Sequence, residues 1–207
     1  MNQGSLDEEA VNARANEKAR KRKLARDRML AGKTIEKGLL IVHTGKGKGK
    51  STAAFGLAAR AVGNGLKVGV VQFVKGVWHT GEREVFARFP ELVEIRAMGE
   101  GFTWETQDRA RDIAAAEAAW RLSEAMMADP SNTMVILDEL NIVLRYGYLD
   151  LERVLSVLTN RRDGLHVVIT GRNAQPELIE AADLVTEMTL VKHPFRVGVK
   201  AQIGIEF

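Results

Sequence analysis

An open, mostly parallel α/β sheet with helices on both faces is the fold the sequence predicts from residue 38 onward. Three observations predict it. Residues 39–42, 68–74, 134–137 and 167–170 are short unbroken runs of Val, Ile and Leu, the pattern of strands covered on both sides. Helix-like segments at 50–62, 107–128, 151–160 and 176–182 alternate with them, which calls for crossover connections between parallel strands. The punctuation agrees: Asp129-Pro130 stops the long helix, and Pro176 suits the first turn of the last one. Two further strands, near 93–97 and 184–191, and a closing segment 199–207 complete the set.

Residues 1–37 read as a basic helical arm, separate from the α/β domain 38–207. The stretch 7–33 holds one glycine, Gly32, no proline and many good helix formers. Its apolar content is thin (Leu6, Val11, Leu24, Met29, Leu30), so such a helix buries little on its own body. Two readings stand: a solvated tail, or an arm that orders over a ligand or a partner subunit. Ten of the 30 Lys and Arg and six of the 27 Asp and Glu lie in residues 1–37. The arm is therefore +4 and the remainder −1, so the high pI belongs to the arm. A nearly neutral domain argues against nucleic acid as a partner.

The central motif is Thr44-Gly45-Lys46-Gly47-Lys48-Gly49-Lys50-Ser51-Thr52, between the strand 39–42 and the helix 50–62. Glycines let backbone N–H groups approach phosphate oxygens, and a helix N-terminus adds free donors and partial positive charge. Lys50 is positioned to reach the terminal phosphates and the Ser51 hydroxyl to ligate Mg²⁺ or Mn²⁺. The usual pattern has glycine where this chain has Thr44, and its glycine comes one place later, at Gly45. Strand, loop and helix together give a RecA-like P-loop NTPase fold with an N-terminal helical arm. The whole segment from Thr44 to Thr52, with Arg60 on the helix beyond, is assigned to ATP binding.

Each remaining strand end carries a candidate group, at the edge where ligands sit in such sheets. Met134 to Leu137 leads into Asp138-Glu139, which can hold the metal or its water beside the loop, with Glu139 and Lys50 as candidate catalytic residues. Strand alternation lets only one of the two acids face the metal unless the strand has ended. A helix N-cap before Asn141 is the plain alternative. Arg172, after the strand 167–170, either meets phosphate or makes a surface ion pair. The loop Gly101-Phe102-Thr103-Trp104-Glu105-Thr106 holds two aromatics, which either pack on their own scaffold or face a flat apolar ligand. The four histidines, His43, His79, His166 and His193, show no metal-ligand spacing and read as structural or exposed. No Ser/His/Asp or Cys/His set suggests a covalent nucleophile.

Apolar residues at 45% and charged residues at 28% are ordinary for a globular protein. With no cysteine, disulfides and thiolate metal sites are excluded, in keeping with a reducing compartment. No apolar run reaches the roughly 20 residues of a membrane span and no secretory leader is evident, so the expected location is cytoplasmic, away from any membrane.

From about Gly38 to Phe207 the chain resembles the ATP:corrinoid adenosyltransferases of cobalamin biosynthesis. Four segments carry the resemblance: Thr44 to Gly56, Val68 to Gly76, Gly101-Phe102-Thr103-Trp104-Glu105-Thr106, and Leu137-Asp138-Glu139-Leu140. The tail, with Lys192-His193-Pro194-Phe195 and Lys200-Ala201-Gln202, is also similar. The resemblance implies attack by Co(I) of a corrinoid on the 5′ carbon of ATP, with triphosphate expelled. It implies that Phe102 and Trp104 press on the corrinoid's lower face and help remove the axial ligand. It further implies an arm acting as a lid, a homodimer, and an electron-donating flavoprotein reductase. Lys46 stands where relatives carry Asn, and Asn141 to Arg145 is less aromatic than the family segment. The competing readings are a P-loop ATPase or kinase that releases ADP, and a RecA-like nucleic-acid-binding ATPase.

Overall fold

Apolar side chains on successive positions form the four central strands because both faces of the sheet are covered there, while the two edge strands are partly or wholly exposed. The strands are β1 (Leu40–Thr44), β2 (Lys67–Gln72), β3 (Val93–Ala97), β4 (Asn132–Asp138), β5 (His166–Thr170) and β6 (Leu184–Glu187). All pair in parallel, in the order β3-β2-β4-β5-β1-β6. The computed structural model describes residues 3–74, 80–99 and 108–206. It contains two units, Met1–Glu36 and Lys37–Phe207.

Alternation along each strand feeds two cores. Leu40 and Val42, Val135 and Leu137, Val167 and Ile169 point into one core, while Ile41, Met134, Ile136 and Val168 point into the other. The first core is closed by helix α4 (Arg109–Ala128) through Ala116, Ala119 and Trp120, by α5 (Leu140–Arg145), by α6 (Leu151–Thr159) and by α7 (Pro176–Ala181). The second is closed by α2 (Lys50–Gly63) through Ala54, Phe55, Ala58 and Ala61, and by Phe86 of the short α3 (Gly81–Phe86). Each fully buried Val, Leu or Ile stabilises the fold by about 1.5–3 kcal/mol relative to exposure.

The helix ends follow their sequence signals. Asp108 caps α4 by accepting from the Ala110 and Arg111 N–H groups, both at 3.1 Å, and Asp150 caps α6 by accepting from Arg153 N–H at 2.7 Å. Pro176 opens α7 as expected. Two short helices, α3 and α5, lie where the sequence shows no helical period, and the closing segment 199–206 ends in a turn over 203–206. The expected strand 184–191 is paired only over Leu184–Glu187, at a sheet edge where all four residues are exposed.

In the first unit α1 (Gln3–Ala31) is a single helix whose described side chains are nearly all exposed. Its body is laced by Glu17 with Arg20 at 3.0 Å and with Lys21 at 3.5 Å. Such pairs on an exposed helix contribute a few tenths of a kcal/mol each.

The amino end of β1 is pinned by a charged cluster. Asp183 accepts from Leu40 N–H at 2.9 Å and pairs with Lys37 and Arg161. Arg161 also donates to the carbonyls of Gly38 and Leu158, both at 2.7 Å. The Lys37 ammonium, then the Leu40 N–H, hold the Asp183 carboxyl below its ordinary range. Asp183→Ala should therefore cost about 1–3 kcal/mol by thermal or denaturant unfolding. A folded pKa below the unfolded one means this contribution is intact above pH ~4 and fades as pH falls through the folded value, so parent and variant should converge in acid. A loss under about 0.5 kcal/mol at neutral pH would show that the cluster is only a surface arrangement.

Candidate functional site

The carboxyl ends of β2, β4 and β5 and the first turn of α2 converge on one group. Asp138, the last residue of β4, is fully buried, and its Oδ1 accepts from Ser51 Oγ and from Thr170 Oγ1, each at 2.7 Å. Its Oδ2 accepts from Gln72 Nε2 at 3.1 Å. One carboxylate thus ties the first turn of α2 to the ends of β5 and β2. Gln72 and Thr170 are site residues that motif reading passed over. The signal available for them is a polar residue closing an otherwise apolar strand.

Next along the chain, Glu139 leaves the strand. Its φ of 66° puts it in the left-handed region, its N–H donates to Thr170 Oγ1 at 2.9 Å, and it occupies the N-cap position of α5. The strand has therefore ended before Glu139, which removes the restriction that alternation places on a neighbouring pair of acids. Its side chain makes no capping hydrogen bond, so the plain N-cap alternative holds for the backbone only. The carboxylate acts on Lys50 instead. Burial, followed by Arg172 and Lys48, pushes the Lys50 ammonium below its ordinary pKa, while Glu139 pulls the other way. Lys50 Nζ donates to the Gly47 carbonyl at 2.5 Å.

The glycines of the loop serve the chain's own packing as well. Gly45 has φ +96°, and a Cβ there would lie 2.4 Å from the Met188 carbonyl oxygen. At Gly47 a Cβ would lie 2.6 Å from the Thr189 carbonyl oxygen, and its N–H donates to the Met188 carbonyl at 2.6 Å. The segment after β6 thus lies against the loop, at a distance no side chain tolerates. Thr44 is the last residue of β1, and Gly45 follows the strand directly. Its Oγ1 accepts from Ala174 N–H at 3.0 Å and its carbonyl from Met188 N–H at 2.9 Å.

The remaining expected residues divide. Lys46, Lys48 and Thr52 are exposed on the loop and first helical turn, and Arg172 is exposed with its charge acting on Lys50. Arg60 is not brought to them, because ten residues of α2 put it about 15 Å along the axis from Lys50, in the last turn. Phe102 and Trp104 lie outside the described residues, as does His79. For a divalent cation the neighbouring Ser51 hydroxyl and Asp138 carboxylate form an all-oxygen pair, the kind of donor that Mg²⁺ takes together with phosphate oxygens and water.

His43, one residue before Thr44, is 7% exposed, and neither ring nitrogen has a hydrogen-bond partner among the described residues. Burial lowers its pKa. The folded state thus holds neutral imidazole, and stability falls once pH drops below the unfolded value of about 6.5. His43→Phe should lack that component. Its unfolding midpoint should gain on the parent's between pH 7.5 and 5.5, and a gap that stays constant over this range would refute the assignment.

A family model described as ATP:corrinoid adenosyltransferase BtuR/CobO/CobP matches residues 36–207. A corrinoid adenosyltransferase of Pseudomonas aeruginosa is 58% identical over 194 residues, covering 94% of this chain and 96% of the relative. One from Sinorhizobium sp is 53% identical over 206 residues, 99% of this chain and 96% of the relative. The corrinoid adenosyltransferase CobA of Salmonella typhimurium is 51% identical over 181 residues, 87% and 91% of the two chains.

Proposed function

The chain belongs to the ATP:corrinoid adenosyltransferase family, and on that premise we propose which of its groups carry the transfer of the adenosyl group from ATP to a corrinoid. In the reaction a Co(I) electron pair forms the cobalt–carbon bond at the 5′ carbon, and the carbon–oxygen bond breaks with its pair going to the departing triphosphate. Co(I) is itself a strong nucleophile, so the protein is required to position substrates and stabilise leaving-group charge, with no general base.

The observation that carries the assignment is the Ser51–Asp138 hydrogen bond beside Lys50, Arg172 and Glu139. In this reading Lys50, Lys46, Lys48, Arg172 and the N–H groups at the start of α2 take the triphosphate's charge, and Glu139 orients Lys50. Thr44, Gly45, Gly47, Gly49 and Thr52 shape the loop, and Arg60 is left out on distance. Ser51 and Asp138, with Glu139 adjacent, would hold Mg²⁺, or Mn²⁺ with the same taste for oxygen. When bound, such an ion neutralises charge that develops on the leaving triphosphate.

Phe102 and Trp104 are assigned to the corrinoid's lower face, and residues 1–37 to a lid over the corrinoid. We assign a homodimer, to which Leu184, Val185, Phe195, Ile203 and Ile205 offer exposed apolar side chains. A flavoprotein electron donor and a cytoplasmic setting complete the proposal. Among the described residues no helix is long and apolar enough to cross a membrane. Nucleic acid has no part in this reading, because residues 38–207 carry a net −1.

Incubation with ATP, Mg²⁺ and chemically reduced corrinoid should give the absorbance change of a cobalt–carbon product together with triphosphate. Lys50→Ala should slow it about 10²–10³-fold. Recovery of ADP and orthophosphate would reverse the assignment. Trp104→Ala should bind ATP normally yet fail to adenosylate corrinoid supplied as Co(II) with a reductant, and normal turnover there would remove the loop from the mechanism. Deleting residues 1–33 should weaken corrinoid binding more than ATP binding, and equal losses in the two titrations would rule out a lid.

A further inference from the structure

The C-terminal segment returns to the phosphate loop carrying a carboxylate. After β6 the chain lies against Gly45 and Gly47, passes through a 3₁₀ turn (Pro194–Val197), and ends the described region in a turn from Gln202 to Glu206. Ile205 and Glu206 N–H groups donate to the Gln202 carbonyl, at 3.1 and 2.9 Å, which fixes the Glu206 backbone. From there Glu206 Oε2 pairs with Lys48 Nζ. The Glu206 side chain is 18% exposed while that of Lys48 is 58% exposed, so the acid is the more buried partner and the lysine the one open to solvent. The loop puts Lys46, Lys48 and Lys50 on alternate residues, with Arg172 acting on Lys50, and Glu206 offsets part of that like-charge repulsion.

The geometry points to Glu206 as an internal competitor of triphosphate for Lys48, a positioning residue that keeps the loop's grip on the product weak. This rests on the reading of Lys48 as a phosphate ligand. The chemistry creates the need for it. All the charge expelled in the reaction leaves on one polyanion, so the groups that stabilise the transition state also hold the product, and its departure can limit turnover. A carboxylate tethered beside Lys48 takes up that ammonium as triphosphate leaves, and triphosphate must displace it to bind.

The test is inhibition of corrinoid adenosylation by inorganic triphosphate, with ATP, Mg²⁺ and chemically reduced cobalamin, in the full chain and in Glu206→Gln, Glu206→Asp, Lys48→Ala and the Lys48→Ala/Glu206→Gln double variant. Glu206→Gln should bind triphosphate roughly three- to fivefold tighter, the size expected for losing a half-exposed ion pair. Its KM for ATP should fall in the same direction, and its kcat should fall if product release is slow. Glu206→Asp, which keeps the charge, should stay near the parent, and Glu206→Gln should add nothing once Lys48 is alanine. A merely structural tail would instead give weaker triphosphate binding in Glu206→Gln. That result, or an unchanged inhibition constant alongside a weakened Lys48→Ala, overturns the competitor role alone. An unchanged Lys48→Ala overturns it together with the reading of Lys48.

Discussion

A single buried carboxylate holds the architecture and the site in register. Asp138 has no exposed surface, and burying an unpaired carboxylate would cost several kcal/mol. Hydrogen bonds from Ser51, Thr170 and Gln72 offset that cost, and each donor comes from a different element. Any slip of β4 against β5 or β2 would strand the charge. The group proposed to hold the metal is thus also the one that makes strand register costly to change.

The phosphate loop meets two demands with one set of glycines. A loop that cradles phosphate needs small residues, and here the same positions admit the backbone of residues 188 and 189 at a distance where a methyl group would clash. Gly45 and Gly47 therefore serve packing and, under the proposed function, ligand geometry as well. A substitution at either would confound the two in an activity assay, whereas Lys50, whose proposed role lies in its side chain alone, separates them better.

How much of this was legible in the chain depends on where each signal resides. Four strands were plain because β1, β2, β4 and β5 are covered on both faces, so their apolar runs are continuous. α3 and α5, at six residues each, are too short to show a period, and they form because Phe86 and Leu140 dock on a sheet already built. β6 was read four residues too long because its edge position leaves Leu184 and Val185 exposed, so nothing on the far side fixes where pairing stops. In the site, Lys50, Ser51, Asp138 and Glu139 could be read from spacing. Gln72, Thr170, Met188 and Glu206 could not, since their roles arise from contacts across 66, 32, 141 and 158 positions of sequence. His43 reads from the sequence as structural or exposed, and the structure buries it, in keeping with the first of these.

Among the described residues two that are not glycine have positive φ, Glu139 at 66° and Asn173 at 54°. Each follows the end of a central strand, beside Asp138 in one case and Arg172 in the other. Such a conformation costs a side-chain-bearing residue on the order of 1–2 kcal/mol, relieved by glycine. Asparagine adopts this region readily, so directed selection for heat resistance alone would favour glycine at Glu139, where it would erase the carboxylate that acts on Lys50. Durability and competence diverge at the Glu139 codon under its proposed role, so a thermostabilised descendant of this chain should be checked there first.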